Sequence, residues 1–145
     1  MKIAKILFPT DFSSRSLSAR EYVLYLAEAL ESTVYLLHAI EPLEYDQIDQ
    51  EIKEFYRNLE GQLEEKMRHE QEVFEKRGLN VHTEIIIGPR WRVINSYAKD
   101  KNIDLIIMGS HGLKTETGEL SVGTTSHRVM FTSPCPVLVV RRETD

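Results

Sequence analysis

Hydrophobic positions along this chain follow two periods. Five short runs, Ile3 to Phe8, Thr33 to Ile40, Val81 to Ile87, Asp104 to Met108 and Val137 to Val140, are apolar at most positions and bounded by proline, glycine or acidic residues. They predict five strands. Their near-continuous apolar character, in place of strict alternation, is what parallel strands covered on both faces require. Between the runs, apolar residues recur mostly at helical spacing, as one stripe of a helix does. The stripes are Leu17, Val23, Leu26, Ala27 and Leu30; then Ile48, Ile52, Phe55, Leu59, Leu63, Met67 and Phe74; then Val93, Ile94, Tyr97 and Ala98; and Val129 with Met130 in a short fourth. The order β-α-β-α-β-α-β-α-β predicts a doubly wound α/β fold, a parallel five-stranded sheet with helices on both faces.

Boundary signals agree with that order. Ser13, Ser14 or Ser18 can cap the first helix, with Ser18 and Glu21 at capping-box spacing, and Pro89 suits the first turn of the third. Gly78 follows Lys76 and Arg77, as a helix end prefers. Gly61 interrupts the second stripe and predicts a bend there.

Size and charge narrow the function. A chain of 145 residues with 41% hydrophobic content predicts one domain, residues 1–145, around one core. The net charge of −5 gives no reason to expect nucleic acid or an anionic membrane as a partner. Residues 44–77 hold 11 acidic and 6 basic side chains, so the second helix alone carries that −5. It reads as a solvated helix with one face on the sheet, and a partner or lid surface is the functional alternative. No apolar run reaches the roughly eighteen residues of a membrane span, and Pro9 and Asp11 interrupt any signal-type core, so a cytoplasmic location is expected. The lone Cys135 cannot close an internal disulfide, and no Cys/His cluster has zinc-ligand spacing.

In a doubly wound sheet, ligands bind at the carboxyl ends of strands where the strand order reverses. The first strand ends in Pro9-Thr10-Asp11-Phe12-Ser13, and the fourth in Met108-Gly109-Ser110-His111-Gly112, ahead of Gly123-Thr124-Thr125 and the last helix. Gly109, Gly112 and Gly123 sit where backbone turns sharply or comes close to something bulky. The amides and hydroxyls of Thr124 and Thr125 at a helix start suit an anionic oxygen. A loop whose glycines only make turns is the alternative. Asp11 would either contact a ligand's hydroxyl or metal, or cap the following helix. No nucleophile-histidine-acid arrangement is readable around His111 or His127, so no catalytic residue is assigned.

Four segments in order, Ile6-Leu7-Phe8-Pro9-Thr10-Asp11-Phe12-Ser13, Leu36-Leu37-His38-Ala39-Ile40-Glu41-Pro42, Asp104-Leu105-Ile106-Ile107-Met108-Gly109-Ser110-His111-Gly112 and Ser133-Pro134-Cys135-Pro136-Val137-Leu138-Val139-Val140-Arg141, resemble the single-domain universal stress proteins of the UspA type. The resemblance implies a Rossmann-like sheet in the order 3-2-1-4-5, homodimers and, in one branch, ATP bound through the pattern G-x2-G-x9-G-(S/T). Gly109, Gly112, Gly123 and Thr124 match that pattern, with ten residues instead of nine between Gly112 and Gly123, and with Glu116 and Glu119 among them. It further implies that Pro9, Ala39 and Met108 line an adenine pocket bordered by Ser110 and His111, with Thr10 and Thr125 among the other residues expected to bind the cofactor. Asp11 would then hold the ribose or a Mg²⁺ ion on the phosphates.

Two functions from different classes follow. One is an ATP- and Mg²⁺-binding stress-response module that regulates by occupancy, with at most slow hydrolysis. The other is a nucleotide-free dimeric interaction protein acting through the acidic helix or another ligand. In either, the apolar edge strand Val137 to Val140 predicts a homodimer.

Overall fold

The computed structural model describes residues 1–42, 50–110, 113–114, 120–121 and 124–141. Five parallel strands, β1 (Lys5–Pro9), β2 (Thr33–Ile40), β3 (Val81–Ile87), β4 (Leu105–Gly109) and β5 (Val137–Val140), form one sheet in the order β3-β2-β1-β4-β5. Four helices, α1 (Ser14–Leu30), α2 (Gln50–Glu75), α3 (Arg90–Asp100) and α4 (Thr124–Thr132), connect them. A two-stranded antiparallel ribbon, Leu113–Lys114 with Leu120–Ser121, stands apart from the sheet.

In place of the one core expected, alternate strand residues face two buried clusters, one on each side of the sheet. Ile6, Phe8, Val34, Leu36 and Ile107 pack against Ala19, Val23, Leu24 and Ala27 of α1 and Met67 and Phe74 of α2. On the opposite face Leu7, Leu37, Ala39, Ile106 and Met108 pack against Val93, Ile94, Tyr97 and Ala98 of α3 and Val129 of α4. Both faces of β1 and β4 are therefore dry, which explains their unbroken apolar character. Asp104 fixes the entry of β4, its carboxylate accepting the backbone N–H groups of Ala4 at 2.9 Å and Lys5 at 3.0 Å.

Some local expectations need correction. Helix α2 runs unbroken through Gly61, because i→i−4 bonding continues there and the position faces open space. Ile52 and Leu59 of its stripe are half-buried, and Ile48 lies outside the described residues. Phe55 is 52% exposed, whereas Leu63, Met67 and Phe74 of the same stripe are buried. In α1 the buried face is Ser16, Ala19, Val23, Leu24 and Ala27, leaving Leu17 and Leu30 exposed. Ser13 occupies the N-cap, so Ser18 lies inside the helix and its spacing to Glu21 caps nothing. Pro89 is the residue before α3, not inside its first turn. Gly78 closes α2 as expected, with φ of 78° and its N–H donated to the Glu75 carbonyl at 2.9 Å.

Candidate functional site

The carboxyl ends of β1, β2 and β4 and the amino ends of α1, α3 and α4 meet in one cleft of about 480 Å³, its open mouth included. It lies where the strand order reverses, between β1 and β4. Pro9, Thr10, Asp11, Ala39, Met108, Gly109 and Thr125 line it. Ser110 is the next residue along, its N–H donated to the Val140 carbonyl at 2.8 Å, and is not part of the lining. Thr124 begins α4, while His111, Gly112 and Gly123 lie outside the described residues, as do Glu116 and Glu119.

Tight backbone geometry shapes the first wall. The Thr10 N–H donates to the Leu37 carbonyl at 2.9 Å, its hydroxyl accepts the Phe12 N–H at 3.0 Å, and its carbonyl accepts the His38 Nδ1–H at 2.7 Å. That last contact fixes the tautomer, since a carbonyl only accepts. Phe12 is held at φ of 63°, a conformation a bulky side chain rarely adopts, and its ring stacks on the His38 imidazole with centroids 5.0 Å apart. The strained turn is thus clamped by Thr10 and His38. It carries Asp11, whose Oδ1 accepts the Ser13 N–H at 2.9 Å and the Ser16 hydroxyl at 2.7 Å. Ser13, the N-cap, makes no side-chain cap bond, and Asp11 braces the turn just ahead of it.

Gly109 forms the floor. A Cβ there would stand 2.8 Å from the Arg15 carbonyl oxygen, so close passage of the α1 backbone already requires glycine at this strand end.

Six lining residues were not anticipated from the sequence: Arg15, Ser16, Leu37, His38, Arg90 and Ile94. Arg15 and Arg90 are the second and first residues of α1 and α3. The rule that points to strand ends points equally to the helix starts that follow them, and that signal was available. Among the described lining residues Asp11 is the only carboxylate against two arginines, so this part of the cleft is more cationic than a chain of net charge −5 suggests. Three helix starts add partial positive charge at the same mouth. Burial pushes the pKa of His38 below the ordinary histidine value; Arg90 and Lys66 add to this, and the Thr10 carbonyl and Asp11 oppose it.

A Mg²⁺ ion riding on ligand phosphates needs one or two protein carboxylates. Asp11 fits that modest requirement, while no group of three His, Cys, Asp or Glu side chains gathers for a metal among the described residues. No helix among them is long and apolar enough to cross a membrane.

Residues 2–141 match the model of the universal stress protein family. Universal stress protein MJ0577 of Methanocaldococcus jannaschii is 33% identical over 155 residues, spanning 96% of this chain and 95% of that protein. The chain belongs to the universal stress protein family. Among solved structures, the universal stress protein UspA from Lactobacillus plantarum superposes with a TM-score of 0.85 at 26% identity, covering 97% of this chain and 99% of that one. Two further universal stress proteins share the fold. One, in complex with cAMP, has a TM-score of 0.70 at 21% identity and covers 94% of this chain and 96% of its own. The other, from Archaeoglobus fulgidus in complex with dAMP, has a TM-score of 0.68 at 15% identity and covers 96% and 98%.

Proposed function

We propose that this universal stress protein is a single-domain nucleotide-binding module. An adenine nucleotide, ATP with Mg²⁺, occupies the cleft, and occupancy rather than turnover carries the signal in a stress response. The observation that carries this reading is the convergence of three strand ends and three helix starts on one cleft whose charged lining, among the described residues, is two arginines and one aspartate. That combination suits an anionic ligand with an apolar portion: Pro9, Ala39, Ile94 and Met108 offer an apolar slot for a base, and Asp11 a partner for ribose hydroxyls or Mg²⁺. Two proteins of the same fold are in complex with the adenine nucleotides cAMP and dAMP, which supports the ligand class. The glycine pattern Gly109, Gly112, Gly123 and Thr124 would complete the phosphate side, with Ser110 and His111 at its border.

Chromatography of the denatured protein tests this. Purified wild type should release an adenine nucleotide, and Asp11→Ala should release far less. A wild type free of nucleotide that also binds none in millimolar ATP and Mg²⁺ contradicts the reading.

Two companion proposals complete it. The module works as a homodimer joined through β5, which stands at the sheet edge. It works in the cytoplasm, where the thiol of its lone Cys135 stays reduced. The nucleotide-free interaction protein remains the second reading, favoured by one observation: Asp11 and Gly109 both have structural reasons to be where they are.

A further inference from the structure

Arg90 is the first residue of α3 and lines the cleft beside Ile94. Its backbone N–H donates to Glu41 Oε1 at 3.2 Å, tying the start of the helix to the end of β2. Its Nε is buried and reaches no hydrogen-bond partner among the described residues. Nor does its guanidinium appear in any ion pair among them, whereas Arg20 grips Glu70 at 2.6 Å, Arg77 reaches Glu28 at 2.7 Å, and Arg92 and Arg128 both lie over the Trp91 ring. Buried donors are nearly always satisfied, so a buried, charged donor left open in a cleft marks a hydrogen bond that something else supplies. The fork of an arginine matches a phosphate or carboxylate oxygen better than any neutral acceptor.

We propose that Arg90 reads the charge of the cleft's ligand: its guanidinium donates to a phosphate oxygen, so that nucleotides bind in preference to the unphosphorylated nucleoside. This deepens the nucleotide-binding reading and rests on it for the identity of the ligand, though not for its negative charge. The geometry divides the work within the cleft. Asp11, on the β1 side, repels phosphate and suits hydroxyls or Mg²⁺, and Arg90, on the α3 side, supplies the opposite sign.

A second consequence follows at His38, which lines the same cleft. The groups whose charge or hydrogen bonding acts on it are Arg90 from α3, Lys66 from α2, Asp11 from the β1 turn and the Thr10 carbonyl. Arg90 is one reason His38 resists protonation, so an anion seated on Arg90 relieves that resistance and raises the pKa of His38.

The test is calorimetric titration of wild type, Arg90→Gln and Arg90→Lys with adenosine and AMP, together with NMR titration of His38. Wild type should bind AMP about ten- to a hundredfold more tightly than adenosine. Arg90→Gln should lose most of that preference while holding adenosine as before, and Arg90→Lys should restore part of it. The His38 pKa should rise in wild type on saturation with AMP, and should stand higher in Arg90→Gln and stay unmoved by AMP. Arg90→Gln that binds AMP like wild type, or that loses AMP and adenosine in equal proportion, overturns the proposal. If wild type binds neither, the nucleotide reading fails, and pyrophosphate separates the two ideas. A saturable His38 shift with pyrophosphate in wild type, absent in Arg90→Gln, would leave Arg90 as an anion site; no response would overturn it as well.

Discussion

Gly109 illustrates how a single position can answer to packing and ligand at once. The Arg15 carbonyl oxygen stands 2.8 Å from where its Cβ would be, so Gly109→Ala must push the start of α1 away from the strand end. The expected cost is about 1–3 kcal/mol, read as a lower urea midpoint at unchanged slope. His38 makes a second prediction. Because burial lowers its folded pKa below that of the unfolded chain, the unfolded state takes a proton first as pH falls below about 6.5, and stability declines there. The fall in unfolding free energy from pH 8 to pH 5 should therefore be smaller in His38→Gln than in wild type; an equal fall would contradict the assignment. At this scale the strand and helix pattern points to Thr10, Asp11, Gly109 and Thr125, and the family resemblance adds Pro9, Ala39 and Met108; all seven line the cleft. Arg90 and His38 were not singled out. Their significance lies in what they lack or touch, an open Nε and a stacked Phe12 ring, and neither is written in spacing.

Among the elements, β2, β3 and β5 begin and end where the apolar runs do, while β1 starts two residues later than its run and both β1 and β4 extend one residue further. Those extra residues, Pro9 and Gly109, carry the cleft. Helix α2 shows where pattern reading falls short. Its glycine signalled a bend, yet the helix continues unbroken there, held on the sheet by tertiary contacts of Leu63, Met67 and Phe74 and by the bidentate Arg20–Glu70 pair, at 2.6 and 2.8 Å. A buried glutamate within an apolar stripe is unreadable without its partner on α1. Since Gly61 is helical and faces open space, Gly61→Ala should stabilise the protein by about 0.5–1 kcal/mol, seen as a higher thermal midpoint. Destabilisation would mean that a bend is needed there after all. For α1, Leu17 and Leu30 belong to the apolar stripe that the spacing predicts yet stay exposed, because the helix turns Ala19, Val23 and Ala27 inward, where small residues let it approach the strands.

For the whole molecule, the strand order follows from the alternation of strands and helices plus the family resemblance, and the two-sided core from the continuous apolar runs. Assembly is argued from the edge. The Pro136 and Val140 carbonyls accept bonds from Ile106 and Ser110 of the β4 side, so the alternate backbone groups of Val137 and Val139 face outward. Val139→Pro removes an outward N–H while sparing the ladder to β4, and should turn a dimer into a monomer in sedimentation velocity. A variant that sediments like wild type contradicts pairing through β5. The central claim, that adenine nucleotide occupies the cleft at the strand ends, is tested most directly by mapping backbone amide shifts during titration with ATP and Mg²⁺. Saturable shifts are predicted to gather at Asp11, Ala39, Gly109, Arg90 and Thr125. Shifts that fail to saturate at millimolar nucleotide, or that gather on α2 instead, would contradict it.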